Sequence, residues 1–186
     1  MISKIKAILR RLVFRLRGDY TTEDLIASGL TVGKNFVRMV GTIIDPAHCH
    51  HIVIGDDVTL APRVHILAHD ASLKRHLGYA RIGNVTIGNR VFVGAETVVM
   101  PGVSIGDDSI IGANSTVTRS IPPRVVAAGS PARVICTLDE YLERHRRLMA
   151  TRPVYGEEYS LRSNPSMAKR RRMRSDLSDG APGYII

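Results

Sequence analysis

The sequence has no tryptophan, and aromatic residues make up only 5% of its 186 positions. A core wedged together by large rings is therefore excluded, and apolar volume has to come from aliphatic side chains. Hydrophobic residues nonetheless reach 44%, which is a globular rather than a disordered composition and suits one domain with terminal extensions. The two cysteines, Cys49 and Cys136, form neither a disulfide framework nor a paired metal motif. They point to a reducing cytosol, with both thiols expected in the core as small hydrophobes. Long apolar runs are missing as well. The stretch nearest the N-terminus is broken by arginines every few residues, so it reads as neither a signal peptide nor a membrane span.

Acidic residues are outnumbered, and the formal charge is +9. Such an excess suits nucleic acid only when it is gathered on the folded surface. Here it sits in the flanks: Lys4, Lys6, Arg10, Arg11, Arg15 and Arg17 on one side, Lys169, Arg170, Arg171, Arg172 and Arg174 on the other. The middle of the chain is nearer balance, so no nucleic-acid partner is expected.

What the sequence does have is a repeat. Ile87, Val93, Val99, Ile105, Ile111 and Val117 recur every six residues, with Val91, Thr97, Val103, Ser109, Ser115 and Ile121 four places after each. Gly88, Gly94, Gly106 and Gly112 follow directly on four of them. A period of six fits neither a helix nor a hairpin. It fits an all-β solenoid of triangular section, in which each hexapeptide makes a short strand and a corner and three make one coil. The aliphatic residue points inward, the small residue four places on fits the tight corner, and glycine is expected to supply backbone conformations that a side chain would hinder. The same register holds at Ile54, Leu60 and Ile66, and Val32-Gly33 with Phe36 reads as the first repeat. Residues 38–53 look irregular. Ile87 follows Ile66 by twenty-one positions, three more than a whole coil, and the intervening HDASLKRHLGYAR reads as a loop leaving the wall, a common place for function in repeat proteins.

The flanks suggest short helices. Residues 3–16 place Ile5, Ile8, Leu9, Leu12, Val13 and Leu16 on one face with basic residues opposite. That face suits either capping the open end of a solenoid or weak contact with an anionic membrane surface. Thr137-Leu138-Asp139-Glu140 has the form of a capping box opening a helix to about Met149. The expected division is 1–30 for the basic amphipathic helix and a connecting helix, 31–136 for the solenoid with a loop at 69–84, 137–152 for a C-terminal helix, and 153–186 for an extension and basic tail. Residues 160–186 read as mobile.

The stretches IGDDVTLAPRVHILAHD (54–70), VTIGNRVFVGAETVVMPGVSIGDDSIIGANSTVTRSIP (85–122) and VVAAGSPARVI (125–135) resemble the hexapeptide-repeat O-acetyltransferases, which include the galactoside, maltose and Nod-factor enzymes and many acetyltransferases of surface-polysaccharide clusters. The resemblance covers about residues 30–136. It implies a left-handed parallel β-helix and a cytoplasmic homotrimer with active sites between subunits. Acetyl-CoA would be the co-substrate, no metal would be required, and the acceptor would be a sugar or glycan hydroxyl. By the same resemblance His69 matches the catalytic base and Ala95 supplies a backbone N–H to the developing oxyanion. The pantetheine arm passes Gly94, Ala95 and Ala113, while Thr118 and Arg119 meet the nucleotide end and Arg133 lies by the 3′-phosphate, where a guanidinium binds in bidentate fashion. Phe92 stands where close sugar acetyltransferases carry Trp, and GTIIDPAHCHH (41–51) offers no clear equivalent of their acceptor-binding Asn.

The chemistry is coherent on its own terms. A sugar hydroxyl is too weak an acid to attack a thioester unaided near neutral pH, and a neutral imidazole can take its proton in the transition state. Oxyanion charge then needs a preorganised donor. No activated serine or cysteine nucleophile is evident, so direct transfer is expected. His65 is a candidate acceptor contact, as are Asp70, Lys74, Arg75, His76, Tyr79 and Phe92. Asp70 can serve either the acceptor or the loop, because neighbours on an extended strand point to opposite faces. N-acetylation of an amino sugar, or acetylation of serine or an antibiotic, is the nearest alternative; a metal-binding or non-catalytic trimer is one of another class. The same fold hosts carbonic anhydrases that hold zinc with three histidines, but Asn89 and Arg90 stand where histidine is needed. The run His48-Cys49-His50-His51 remains a candidate for incidental surface metal.

Overall fold

The computed structural model describes residues 19–186; the amphipathic helix expected over residues 3–16 lies outside them. The described chain divides into two compact units, through Leu138 and from Asp139 onward.

In the first unit a capped helix, α1 (Thr22–Ala27), leads into the repeats. Thr21 accepts from the Asp24 N–H while the Asp24 carboxylate returns to the Thr21 backbone, which ties off the donors of the first turn. The strands then follow in rotation: β1 (Thr31–Val32), β2 (Val37–Arg38), β3 (Ile43–Ile44), β4 (Ile52–Ile54), β5 (Thr59–Leu60) and β6 (His65–Ile66). A small antiparallel hairpin follows, β7 (His69–Asp70) and β8 (Arg81–Ile82), with the short helix α2 (Lys74–Leu77) at its tip. Rotation resumes with β9 (Val85–Ile87), β10 (Phe92–Val93), β11 (Val98–Val99), β12 (Ser104–Ile105), β13 (Ile110–Ile111) and β14 (Thr116–Val117). The closing pair is β15 (Val125–Ala128) and β16 (Arg133–Thr137).

These strands build three sheets, each visited once per turn: β1-β4-β9-β12, β2-β5-β10-β13-β15-β16 and β3-β6-β11-β14. Every pairing between successive turns is parallel, and β16 folds back antiparallel on β15. Register puts like on like, with Leu60, Val93 and Ile111 stacked on one face and Ile44, Ile66, Val99 and Val117 on another. All seven are buried. Each such side chain contributes about 1.5–3 kcal/mol by leaving water, and together they are the axis of the unit.

The corners show what the repeat residues do. Val58, Val64, Val91, Thr97, Val103, Ser109 and Ser115 are all buried, and the hydroxyls among them satisfy corner carbonyls: Thr97 donates to Gly112 O at 3.1 Å, Ser109 to Pro122 O at 2.9 Å and Ser115 to Gly112 O at 2.6 Å. The glycines have a different role from the one expected. Positive φ falls three places after the inward residue, and largely on side-chain-bearing residues: Asn35, Asp57, Arg63, Arg90, Glu96, Asp108 and Asn114. The glycine directly after the inward residue is instead demanded by the next coil. A Cβ on Gly94 would lie 2.4 Å from Ala113 N, and one on Gly106 would lie 2.4 Å from Pro123 N. Coil spacing, not dihedral freedom, selects glycine there.

Two further expectations change. The segment at 38–53 is regular through Ile44, which stacks on Ile66; only the stretch after it bulges, with a single 3₁₀ turn at Cys49–His51. Arg38 hides the first turn's repeat because it takes the inward register opposite Leu60, and its guanidinium binds Thr42 O and Tyr20 O. Ile87 is the next repeat position after Ile66, so the insertion falls within one corner and is far longer than three residues. Cys49 is buried as expected, donating to Leu25 O and Ser28 O, but Cys136 is only half-buried.

The second unit holds α3 (Leu138–Met149), β17 (Val154–Tyr155), α4 (Met167–Asp176) and β18 (Tyr184–Ile185). Residues 160–186 are thus structured, contrary to the mobile tail expected. β18 pairs in parallel with β17, Arg152 grips Asp179 through two bonds of 2.7 and 2.9 Å, and Tyr155, itself buried, donates to Asp176 at 3.1 Å. These contacts join residues far apart in the chain, so composition alone pointed to a solvated tail. No helix of the described residues is long and apolar enough to cross a membrane.

A stack of this kind should be most sensitive at its axis. Ile111→Ala is expected to lower unfolding free energy by about 2–5 kcal/mol, whereas Thr86→Ala, on the exposed side of β9, should cost less than about 0.5 kcal/mol. Urea titration followed by far-UV circular dichroism distinguishes the two.

Candidate active site

Both interruptions of the repeat fall at the same corner in consecutive turns. The chain leaves β3 into the bulge at Asp45 and leaves β6 into the hairpin at His69, and stacking of β3 on β6 brings the two together. Asp45 is buried, at 1% exposure. One carboxylate oxygen accepts from the Ala47 and His48 N–H groups at 3.1 and 3.3 Å. The other accepts from the Ala68 N–H at 3.1 Å and from His69 Nδ1 at 2.5 Å.

The charge state of this pair follows from its surroundings. Burial pushes the Asp45 carboxyl up, but the hydrogen bonds from the His69 ring and from the Ala68 and His48 backbone outweigh it, and the pKa ends below its ordinary value. An ionised carboxylate only accepts. His69 Nδ1 therefore carries a proton, and in the neutral imidazole Nε2 keeps its lone pair. With the side chain 35% exposed, that lone pair belongs to a ring that is anchored on one side and reachable on the other.

Asp45 was not among the residues singled out by sequence, and nothing local betrays it. It lies twenty-four residues from His69 within the segment read as irregular; the one available signal was that this irregularity precedes a strand stacked directly on the histidine-bearing one. Asp70 does not orient His69. It caps the loop, accepting from the Ser72 N–H at 2.9 Å and meeting Arg81 at 3.5 Å across the hairpin neck, and the Ser72 hydrogen bond is the main cause of its lowered pKa. Lys74, Arg75 and His76 lie exposed on α2, Tyr79 follows it at 79% exposure, and Gly78 ends the helix with φ +78°. His65 sits on the outer side of β6, level with Ile43 and Val98. Phe92 is exposed on β10, level with Thr59 and Ile110.

The corners of the coil differ in how their backbone donors are used. Between the first and second faces, side chains form a ladder: Asp56 Oδ1 accepts from Lys34 N, Asn89 Oδ1 from Asp56 N, and Asp107 Oδ1 from Asn89 N, at 2.7–2.9 Å. Asn89 is thereby committed, and Arg90 pairs with Asp108 at 2.7 Å. Between the second and third faces the matching residues are Ala95 and Ala113, and among the described residues nothing accepts from either N–H. Gly94 lies buried beside Ala95. Thr118, Arg119 and Arg133 are all exposed, and Arg133 steadies its guanidinium on Ala132 O at 2.9 Å. Within the HCHH run Cys49 turns into the core, while the His48 ring lies tilted against that of His69, with centroids 4.6 Å apart, and those of His50 and His51 lie 4.4 Å from each other.

The three-faced parallel stack with glycine at the coil contacts has a counterpart among known families: residues 84–119 match the family described as bacterial transferase hexapeptide (six repeats). The chain is similar to the galactoside O-acetyltransferase of Escherichia coli K12, 42% identical over 120 residues that cover 61% of this chain and 56% of that protein. Among solved structures, a galactoside acetyltransferase in complex with coenzyme A aligns at 38% identity and a TM-score of 0.56, covering 62% of this chain and 58% of the other. A hexapeptide-repeat acetyltransferase of Vibrio cholerae complexed with acetyl coenzyme A aligns at 26% identity and a TM-score of 0.54, with 59% and 61% covered. The chain thus spans rather more than half the length of these relatives.

The His69–Asp45 contact has a measurable signature in stability. A carboxyl whose folded pKa is lowered contributes stability in full above its unfolded pKa of about 3.9 and loses it as the pH falls through the folded value. Asp45→Asn should therefore be less stable than wild type at neutral pH, and the gap should narrow below about pH 4. Thermal midpoints measured from pH 7 to pH 3 would reveal it.

Proposed function

We propose that this chain is an acetyl-CoA-dependent O-acetyltransferase that acts on a hydroxyl of a sugar or glycan precursor. The observation that carries the reading is His69, held through Nδ1 by a buried, ionised Asp45 and so left with a basic Nε2 at the mouth of the inserted loop. Coenzyme A and acetyl coenzyme A bound in similar proteins supply the co-substrate; a galactoside acetyltransferase among them supplies the acceptor class.

In this reading the acceptor O–H gives its proton to His69 Nε2 while its oxygen attacks the thioester carbonyl carbon. Asp45 stabilises the imidazolium that forms. The tetrahedral intermediate places its oxyanion against the Ala95 N–H, a donor with no partner among the described residues. Collapse breaks the C–S bond, and the departing thiolate takes the proton back from His69, yielding acetyl ester and coenzyme A. No side chain is acylated, and the chemistry calls for no metal.

The cofactor would lie along the alanine corner past Gly94, Ala95 and Ala113, where small side chains leave room. Thr118 and Arg119 would lie near its nucleotide and Arg133 at its 3′-phosphate. Asp45 and His69 stand on the corner after the third face and Ala95 on the corner before it, so one chain separates the base from the oxyanion donor. A homotrimer of left-handed coils, with each site shared between neighbours, reunites them, and Val37, Ile43, Val53 and Phe92, each over 40% exposed, offer apolar surface for the contact. The loop residues Arg75 and Tyr79 and the outer-face residues His65 and Phe92 would border the acceptor. We place the enzyme in the cytoplasm, where acetyl-CoA and reduced cysteines are both at hand.

Thiol release from acetyl-CoA with a panel of sugars tests the reading. His69→Ala should lose about 10²–10⁴-fold in turnover; equal rates for the two proteins would rule out His69 as the base. The cofactor assignment has its own test. Arg133→Ala should raise KM for acetyl-CoA but leave KM for the 3′-dephospho analogue unchanged, since only the former carries the group that the guanidinium would bind.

A further inference from the structure

One polar atom near the dyad has no use in that mechanism. His48 Nδ1 is buried and has no hydrogen-bond partner; the nearest carboxylate oxygen, Asp45 Oδ1, stands 3.9 Å away, beyond bonding reach. Its ring faces that of His69 at 4.6 Å. Asp45, His48 and His69 each offer a ligand atom, all within 4.8 Å of one another. Two imidazoles and a carboxylate are a common donor set for zinc, which binds such atoms at about 2.0–2.2 Å and accepts three protein ligands with an open fourth position. Ligand atoms around a tetrahedral ion lie about 3.3–3.6 Å apart, so binding asks the His48 ring to move inward on the bulge that carries it and the 2.5 Å contact between His69 Nδ1 and Asp45 to open by about 1 Å.

We propose that Asp45, His48 and His69 form a binding site for a divalent transition-metal ion of the zinc class, and that occupancy switches the enzyme off. The metal takes the place of the proton shared by His69 Nδ1 and Asp45. A neutral imidazole ligated through Nδ1 carries its one proton on Nε2, so the lone pair that would accept the acceptor's proton disappears. The ion here is an inhibitor rather than a cofactor, and it differs from a hydrolytic zinc because its ligands are the base and its partner. The site itself stands on the geometry alone; the inhibition rests on the proposed role of His69.

The test uses the full-length protein stripped with a chelator. Zinc is titrated calorimetrically, acetyl transfer is followed over the same concentrations, and the His69 ring nitrogens are observed by ¹⁵N NMR. The expected result is one zinc per chain, a shift of the imidazole proton from Nδ1 to Nε2, and turnover that falls about 100-fold at saturation and recovers with chelator. His48→Phe, which keeps a ring against His69 but has no ligand nitrogen, and His48→Gln should both lose the binding and the inhibition while retaining turnover in chelator; their thermal midpoints report whether they fold. Absence of binding, binding undiminished in both folded variants, or a saturated site with full turnover each overturns the proposal. If no acceptor supports acetyl transfer even without metal, the functional reading fails, whereas zinc-dependent NMR shifts lost in His48→Phe still support the site.

Discussion

Everything in the first unit depends on how closely one coil can lie on the next. Parallel strands in register set the spacing, and at that spacing the backbone after several of the inward residues has no room for a Cβ, as the 2.4 Å clearances at Gly94 and Gly106 show. Glycine at those points lets the aliphatic ladder close without a gap, and the ladder in turn removes enough apolar surface from water to hold strands of two or three residues that have no stability of their own. The corner residues accept left-handed backbone at a small cost because the stacking on either side fixes them.

A regular stack is chemically monotonous, and the two places where it breaks its period are where it brings titratable side chains together. The bulge after β3 and the hairpin after β6 leave from the same corner, one turn apart. That coincidence converts two unrelated loop residues into a hydrogen-bonded acid and base, with the carboxylate sealed from water and the imidazole only partly so. The same corner collects His48. Elsewhere the coil spends its polar side chains on its own backbone, as in the Asp56, Asn89 and Asp107 ladder. Where alanines replace that ladder, donors remain for something other than protein.

Legibility in the sequence followed the range of the interaction. Ile87 through Val117 could be read off directly because each repeat solves the same packing problem with the same residues. Ile44 was hidden because Arg38 breaks the aliphatic series just before it, at a level where the guanidinium serves backbone carbonyls. The flanking motif drew attention to His69 but not to Asp45, since the contact between them exists only after two coils have stacked. Glycine's position was evident and its reason was misjudged: dihedral freedom is a property of one residue, whereas clearance is a property of two coils. Residues 160–186 looked like a tail for a similar reason, their order resting on Arg152–Asp179 and on pairing of β17 with β18.

The Asp45–His69 bond joins consecutive turns of a structure in which each turn touches only its neighbours. A slip of one repeat would move the carboxylate to a different face altogether. The pair thus works as a register mark: any population in which it has formed has already laid the second turn on the first, and the resonance of a single imidazole proton would time that step during folding.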